Sequence, residues 1–514
     1  MSGARLHGVG AYCGLVISVL VSAGKLQAEI RLPHLLSEHA VLQRDRPIHI
    51  WGWSDPGETV DVAFHQQKLH LVANDLGEFS GWLAPEKAGG PFSLTINGGK
   101  AEAAVTVGDL LVGDVWFASG QSNMEMPLKG FAGQAVVKNS ESEIAASAHP
   151  ELRLLRFEHN ASAFPVEDIT ATWTRCDPAS AADFSAVAYF FGREIAQGEH
   201  VPVGLIDSTW GGTPVDSWMS LNSIAANASL MPVFASRARF AAGQTALQRT
   251  IDRDKRNDAA ARARHETPPQ HPWHPDERSW NPSVLYNGMV APATPYTVRG
   301  FLWYQGESDS TPERSPMYAR LFPAMIEDWR EQWGEGALPF LFVQISSVDS
   351  PSEIWGAIRE AQRRTLSVAN TAMAVSLDVG EAKNVHPPDK QTVGHRLALG
   401  ARRLSYGEDL EWSGPMYREA TSEGSGARVW FDHAGGGLRT RGLDRAGPVL
   451  GFELAGDDGH FVPASATLHG DTVLVQAAGL GHPRLVRYAW ANLTGANLEN
   501  REALPASTFL GPVR

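Results

Sequence analysis

The sequence is poor in cysteine, with two in 514 residues. Cys13 lies in the apolar N-terminal segment, so removal of that segment would leave Cys176 alone. No disulfide could then form within the mature chain, and its stability must come from packing and hydrogen bonding. We expect Cys176 to be a small packed residue rather than a nucleophile.

Long apolar runs are also scarce. Residues 9–21 form one that follows Arg5 and is too short to span a bilayer comfortably. This pattern predicts a secretory signal peptide over residues 1–28 and a secreted or periplasmic protein, with an uncleaved membrane anchor as the alternative. No later apolar stretch approaches about 18 residues, so we expect no membrane association after cleavage.

Positive charge is in deficit. Lys and Arg number 44 against 57 Asp and Glu, which gives a net charge of −13. This balance disfavours nucleic acid or an anionic membrane surface as a partner. No Gly-x-Gly-x-x-Gly or Walker loop follows a predicted strand, so nucleotide binding is not indicated either. A neutral glycan remains compatible with the composition.

The length predicts roughly two to four domains. Residues 29–110 contain short β-rich runs between turn signals, typical of a small β-sandwich. Residues 111–408 alternate strands with helices, which predicts parallel βαβ units, and residues 409–514 return to β-rich runs. The strands predicted in the central part are residues 114–118, 203–207, 300–304, 339–345 and 371–377.

An insertion over residues 221–285 interrupts the alternation. Residues 237–264 are rich in Ala, Arg and Gln and predict a helix, and a proline-rich loop with His265, His271 and His274 follows. The loop lacks the paired carboxylates or cysteines that frame a metal site, so we expect no metal there. We expect instead an exposed loop at the rim of the active site.

Residues 120–124 read Gly-Gln-Ser-Asn-Met and follow the apolar run at 114–119. This pattern predicts that Ser122 stands at the carboxyl end of a buried strand, where open α/β sheets bind their ligands. Position 124 is Met, so the motif is not the Gly-x-Ser-x-Gly elbow of ordinary α/β-hydrolases. A serine in a glycine turn is usually only a turn residue, so its role depends on its neighbours at the sheet edge.

Three further polar elements follow later strands. Gly211 and Gly212 could present backbone N–H groups, and Gln305 could offer its side-chain amide to a developing negative oxygen. His386 lies on the loop after the last predicted strand and could take the proton of a serine hydroxyl. Each has an ordinary structural explanation alone, but the order Ser, Gly, Gln, His is hard to obtain by accident.

These blocks resemble those of the SGNH (GDSL-like) hydrolases, in the version carried by sialate O-acetylesterase-like carbohydrate esterases. The similarity extends over residues 112–127, 205–218, 285–289, 299–307 and 385–398. It implies an α/β fold: a flavodoxin-like three-layer domain with a parallel sheet, flanked by small all-β domains at both ends. It also implies removal of O-acetyl groups from sugars by a serine mechanism without metal or organic cofactor.

The resemblance assigns roles to individual residues. Ser122 would attack the acetyl carbonyl to form an acetyl-serine, and His386 would remove its proton. The oxyanion would be held by N–H groups of Ser122 and of Gly211 or Gly212, together with Gln305, which stands where many members have Asn. The residues expected to contact the sugar are Gln121, Asn123, Trp210, Trp303 and Glu307.

One departure from the family pattern concerns the acid that supports the histidine. Many members carry Asp three residues before it, whereas this chain has Lys383. Asp378 is our predicted partner of His386 because it ends a predicted strand near the catalytic edge. Glu381, Glu307 or a backbone carbonyl are the alternatives.

Three functions stay open at this point. The first is an acetylesterase for sialic acids, and the second is an acetylesterase for a plant polysaccharide such as xylan or xyloglucan. The third is a glycan-binding protein with a vestigial hydrolase core, against which the intact Ser, Gly, Gln and His set argues. The oligomeric state is not predicted.

Overall fold

The structure is a computed structural model that describes residues 30–99, 104–269, 271, 273–442 and 447–514. The predicted signal peptide over residues 1–28 lies outside the described residues. Within the described part, no helix is long and apolar enough to cross a membrane. Cys176 is buried, as expected.

Six short strands form the N-terminal region. They are β1 (Val41–Gln43), β2 (Ile48–Trp53), β3 (Thr59–Phe64), β4 (Gln67–Val72), β5 (Glu78–Leu83) and β6 (Gly89–Gly98). β3 pairs with β4 and β6, and β2 pairs with β5 in a separate sheet. Alternate residues of β3 face inward, because successive side chains of a strand point to opposite faces.

The next strand, β7 (Val105–Gly120), belongs to both the N-terminal and the central part. Its first half pairs antiparallel with β6, and its last residues pair parallel with central strands. The domain boundary predicted at residues 110–111 therefore falls inside one continuous strand.

The central sheet has the order β13-β12-β11-β7-β10-β8-β9 and is parallel except at β9. Its further strands are β8 (His149–Arg156), β9 (Trp173–Cys176), β10 (Val203–Thr209), β11 (Gly300–Tyr304), β12 (Phe340–Gln344) and β13 (Thr371–Val375). All five strands predicted here are present. β8 and β9 were not predicted, because charged residues such as Arg153 interrupt the apolar run there. In the structure the Arg153 side chain is buried and paired with Asp109.

The helices are α1 (Ser122–Glu125), α2 (Ser140–Ala145), α3 (Pro178–Ala182), α4 (Ala186–Glu199), α5 (Leu221–Ala226), α6 (Pro232–Ala263), α7 (Ser315–Trp333), α8 (Trp355–Thr365) and α9 (Lys390–Ser405). Trp116 on β7 packs against Phe191 of α4, and its neighbour Phe117 packs against Trp329 of α7. Adjacent side chains of a strand face opposite ways, so helices cover both faces of the sheet. The predicted three-layer α/β class is confirmed.

Antiparallel sheets complete the C-terminal part. Their strands are β14 (Met416–Glu423), β15 (Gly426–Asp432), β16 (Leu438–Thr440), β17 (Phe452–Ala455), β18 (Phe461–Pro463), β19 (Ser465–His469), β20 (Thr472–Gln476), β21 (Leu485–Tyr488), β22 (Leu498–Asn500) and β23 (Phe509–Pro512). Arg359 of α8 is fully buried and donates to the carbonyls of Ala489, Trp490 and Ala491. These hydrogen bonds hold the C-terminal part against the central domain.

Candidate active site

Ser122 is positioned by the sharp turn that ends β7. Gly120 has φ +135°, and a Cβ at this position would collide with the carbonyl of Tyr304 on β11. Only glycine fits such a close approach with that backbone conformation. The turn places Ser122 at the start of α1, at the carboxyl end of the central sheet, as predicted.

His386 meets Ser122 across 264 residues of chain. Its Nε2 lies 2.8 Å from Ser122 Oγ, within hydrogen-bond distance. Burial lowers the pKa of His386 to about 4, and the nearby charge of Lys390 adds to the effect. The imidazole is therefore neutral near pH 7 and able to accept the serine proton.

The other ring nitrogen of His386 contacts an amide rather than a carboxylate. Nδ1 lies 2.7 Å from Oε1 of Gln134, a residue that the sequence reasoning missed. A carbonyl oxygen only accepts hydrogen bonds, so Nδ1 carries the proton and Nε2 is left to accept from Ser122. Gln134 lies 252 residues before His386, and no local pattern marks it.

The prediction that Asp378 supports His386 is wrong. Its carboxylate forms a two-point ion pair with Arg396, at 2.6 and 2.7 Å, and lies 3.6 Å from Arg441. The alternative Glu381 accepts instead from Asn384, whose side chain in turn receives the backbone N–H of His386. Neither carboxylate hydrogen-bonds the imidazole.

Asn123 organises a buried polar network under the site. Its Nδ2 donates to Glu307 Oε1 at 2.6 Å and to the carbonyl of Val385 at 3.0 Å, which fixes the chain beside the histidine. Its Oδ1 accepts from Lys390 Nζ at 2.5 Å. Burial raises the pKa of Glu307 to about 7 and lowers that of Lys390 to about 7. Asn123 is therefore a support of the site rather than a lining residue.

Two glutamines differ in which of them reaches the cavity. Gln305 is fully buried, and its amide donates to the carbonyl of Thr213 at 3.1 Å and to Asp309 Oδ2 at 2.6 Å. The prediction that Gln305 faces the oxyanion is therefore wrong. Gln121 lines the cavity, and its Oε1 accepts N–H bonds from Gly306 and Ser308, so its NH₂ group is directed elsewhere and finds no acceptor among the described residues.

The glycine pair borders the serine as predicted, with one complication. A Cβ on Gly211 would lie 3.2 Å from Ser122 Cβ, but the Gly211 N–H donates to Glu125 Oε2 at 2.6 Å. Glu125 also lies 3.0 Å from His159 Nε2. The backbone N–H groups of Ser122 and Gly212 have no acceptor within the described part of the chain. These two groups are available to a ligand, whereas that of Gly211 is occupied.

The aromatic side chains predicted to contact sugar do not reach the cavity. Trp303 is fully buried and packs against Trp218 and Trp329, because β11 is covered on both faces. Trp210 is 7% exposed and stacks on His159 at 4.2 Å, so it lies beneath the lining. The aromatic residues that line the cavity are Phe131, Trp273, Trp280 and Trp355. The sequence signal for Trp273 as a lining residue is its position in the proline-rich loop that was expected at the rim of the active site.

Ser122 and His386 line a cavity of about 1340 Å³. Five carboxyl groups belong to lining residues, namely Glu125, Glu307, Asp349, Glu353 and Glu381. Among the described lining residues, Lys383 carries the opposite charge. Within the described residues, no group of three His, Cys, Asp or Glu side chains is arranged to hold a metal ion.

One wall of the cavity, residues 348–355, is held by Asn492 from the C-terminal part. The side-chain amide of Asn492 donates to the carbonyls of Ser350 and Glu353 at 2.5 and 2.8 Å. Its Oδ1 accepts the N–H of Trp355 at 2.9 Å, and its carbonyl accepts that of Val348 at 3.1 Å. A residue of the β-rich part thus fixes the shape of the catalytic cavity.

Comparisons with known proteins agree with this site. A family model for sialic acid-specific acetylesterases, a class of carbohydrate esterase, matches residues 270–402. The sialate O-acetylesterase of Homo sapiens is 31% identical over 449 residues, covering 79% of this chain and 77% of that protein. That of Rattus norvegicus is 28% identical over 528 residues, covering 93% of each.

The solved structures agree with the sequence relatives. The crystal structure of a carbohydrate acetylesterase from Xanthomonas citri matches with a TM-score of 0.79 and 35% identity, covering 94% of this chain and 99% of that one. The relatives and this structure all name the same chemistry, the removal of acetyl groups from carbohydrate. The chain belongs to the sialate O-acetylesterase family and is a carbohydrate esterase that removes acetyl groups from sugars.

Proposed function

We propose that Ser122 and His386 perform the deacetylation, through an acetyl-serine intermediate. The observation that carries this assignment is the 2.8 Å contact between Ser122 Oγ and the neutral imidazole at the base of the cavity. A serine hydroxyl is a weak nucleophile until an adjacent base accepts its proton. The low pKa of His386 keeps that base unprotonated at neutral pH.

The reaction runs in two halves. Ser122 Oγ attacks the acetyl carbonyl carbon while His386 Nε2 takes its proton. The tetrahedral intermediate then collapses, the bond between the carbonyl carbon and the sugar oxygen breaks, and His386 protonates that oxygen. Water then gives a proton to the same nitrogen and attacks the acetyl carbon. The bond from that carbon to Ser122 Oγ breaks, His386 returns the proton to Oγ, and acetate leaves.

The negative oxygen of the intermediate needs donors in place before it forms. We assign this role to the backbone N–H of Ser122 and to the side-chain NH₂ of Gln121, whose carbonyl oxygen is tethered to Gly306 and Ser308. The tether holds the amide without any rearrangement during the reaction. The N–H of Gly211 would join them only after Glu125 releases it.

Gln134 takes the place that an acid holds in most serine hydrolases. Its carbonyl oxygen fixes the tautomer and orientation of His386 through the 2.7 Å contact. An amide gives the transient imidazolium less stabilisation than a carboxylate, but it leaves the histidine pKa low. We therefore describe the machinery as a serine–histidine pair oriented by glutamine.

Of the two substrate classes, the lining charge favours a neutral acetylated glycan. The relatives named above are sialate O-acetylesterases, and a sialic acid carries a carboxylate at neutral pH. The cavity lining carries five carboxyl groups against Lys383, and it is acidic overall even with Glu307 near half-protonated at pH 7, so it repels an anionic sugar. A neutral polysaccharide such as acetylated xylan meets no such repulsion. The leader-like residues 1–28 support action in the periplasm or outside the cell.

The test uses the purified protein, Ser122→Ala, and three esters: p-nitrophenyl acetate, acetylated xylo-oligosaccharides and an O-acetyl sialoside. The wild type should release acetate from the esters it hydrolyses, and Ser122→Ala should release none from any of them, while its circular dichroism and Tm match those of the wild type. The wild type should prefer the neutral oligosaccharide over the sialoside. Retention of half the wild-type kcat by Ser122→Ala would refute the nucleophile, and a sialoside preference would refute the substrate class.

A further inference from the structure

Trp273 is the most exposed large aromatic side chain on the cavity wall. It is 63% exposed, although it lines the same cavity as Ser122. One edge of its ring lies against Gly212, where a Cβ would stand, and Gly212 follows the Gly211 that borders Ser122. The indole therefore packs on the residue next to the glycine that borders Ser122, and most of its surface is exposed.

The ring is backed by a second aromatic layer. Trp280 lies 6.4 Å from it, centroid to centroid, and donates its indole N–H to the carbonyl of Gly212 at 2.7 Å. Trp280 in turn stacks on Phe240 of the long helix α6 at 5.0 Å. Trp273 is thus supported from behind while its cavity side is uncovered.

Two histidines that flank Trp273 tie its loop to α6. Nε2 of His271 lies 2.7 Å from Asp258, and its Nδ1 lies 3.5 Å from Asp254. His274 Nε2 lies 3.8 Å from the same Asp254. We call these four side chains the loop clasp. It connects the described part of this loop to α6 and accounts for two of the loop's three histidines, His271 and His274.

Size and charge together identify what the ring could hold. The cavity of about 1340 Å³ exceeds the volume of one acetylated sugar several times over, so a chain of sugars fits. Carbohydrate rings present apolar C–H faces that pack on indoles, and the carboxylates of the lining can accept hydrogen bonds from sugar hydroxyls. Glu307 is one of the lining residues, and its Oε2 is buried with no hydrogen-bond partner among the described residues.

We propose that Trp273 is a stacking platform for a pyranose unit adjacent to the acetylated one, so that the enzyme acts on neutral acetylated oligosaccharides rather than on single sugars. This proposal rests on the function assigned above. It makes the insertion over residues 221–285 a specificity element. The platform binds the glycan chain and takes no part in the chemistry at Ser122.

The experiment compares kcat/KM of the wild type and Trp273→Ala for three esters: p-nitrophenyl acetate, an acetylated xylose monosaccharide and acetylated xylotetraose. Trp273→Ala should lose about tenfold or more with the tetraose. It should stay within about twofold of the wild type with the two small esters. Trp273→Phe, which keeps a ring, should lie between. Equal tetraose values for wild type and Trp273→Ala would overturn the proposal.

Two controls separate this result from other causes. Trp82 is 52% exposed on the N-terminal β5 and away from the cavity lining, so Trp82→Ala should leave all three rates unchanged. Asp258→Ala removes the 2.7 Å hydrogen bond of the loop clasp to His271 and should reduce tetraose turnover without changing that of p-nitrophenyl acetate. If the wild type failed to hydrolyse even p-nitrophenyl acetate, the assigned function would fail. Normal turnover of that ester with no gain from sugar length would instead refute the platform alone.

Discussion

The floor of the cavity is made by short loops that directly follow parallel strands, whereas two of its walls come from residues 273–280 and 348–355. The floor is held by its own buried hydrogen bonds, such as those of Asn123. The walls are held from outside the sheet, by the loop clasp on α6 and by Asn492 of the C-terminal part. We therefore expect the sheet to fix the chemistry and the segments attached to it to fix substrate choice.

This difference separates two classes of substitution. A change on the floor should alter the turnover of every ester, because all of them pass through the same intermediate. A change in a wall should alter only the turnover of sugars large enough to touch it. The experiments below test that separation, starting with the largest effect.

His386→Ala should lower kcat by about 10⁴-fold or more for p-nitrophenyl acetate and for acetylated oligosaccharide alike. Without the imidazole, no base accepts the proton of Ser122, and no acid protonates the departing sugar oxygen. Steady-state kinetics with both esters, with Tm as the check on folding, measure this. A loss confined to the sugar ester would place His386 in substrate binding and break the comparison.

Gln121→Ala should lower kcat by about 10²–10³-fold with little change in KM, because the proposed hydrogen bond strengthens as charge develops. Gln305→Ala is the matched variant. Loss of its buried amide leaves Asp309 and the Thr213 carbonyl short of a donor. The free energy of unfolding should therefore fall by about 1–3 kcal/mol, with a lower Tm, while kcat changes little. The reverse pattern would return the oxyanion role to Gln305.

Gln134→Glu should move the acid limb of the kcat/KM profile to higher pH. His386 works as a base only when neutral, and its pKa of about 4 keeps it neutral through pH 5 in the wild type. A carboxylate at position 134 favours the imidazolium, so protonation would remove the base at a higher pH. Asp378→Asn is the control: it should lower Tm by breaking the pair with Arg396 and leave the profile in place. An unmoved acid limb in Gln134→Glu would separate Gln134 from the histidine.

Asn492→Ala should produce the smallest effect of the four, a loss of about fivefold in kcat/KM for acetylated oligosaccharide. The wall at residues 348–355 loses three side-chain hydrogen bonds, each worth about 1 kcal/mol, and becomes less well ordered. Turnover of p-nitrophenyl acetate should stay within about twofold of the wild type. An equal loss with both esters would show that this wall also positions the floor.

The sequence predicts the floor well because one rule governs it. Parallel strands present their carboxyl ends at one edge, so Ser122, Gly211 and His386 can be placed there from strand order alone. Which side chain turns toward the ligand is not given by that rule. Gln121 and Gln305 both follow strands of this edge, and only their hydrogen-bond partners decide which amide faces the cavity.

Gln134 and the walls escape sequence reasoning for a different reason. Gln134 and Asn492 act through contacts with residues more than a hundred positions away, and nothing in the local sequence marks them. Trp303 looked the better sugar contact because it adjoins a catalytic block. A strand covered on both faces buries every side chain, however, and Trp273 in a polar loop lines the cavity instead.

The shared strand β7 has a mechanical consequence. Its sixteen residues begin among the N-terminal strands and end at the turn before Ser122, with no linker between. We therefore expect opening of the N-terminal strands to disturb the same backbone that carries Ser122, so that the two regions unfold as one cooperative unit rather than as separate domains. A cut within residues 105–120 would break this strand, so the N-terminal region cannot be removed at the predicted boundary of residues 110–111 without shortening the strand that carries Ser122 into the central sheet.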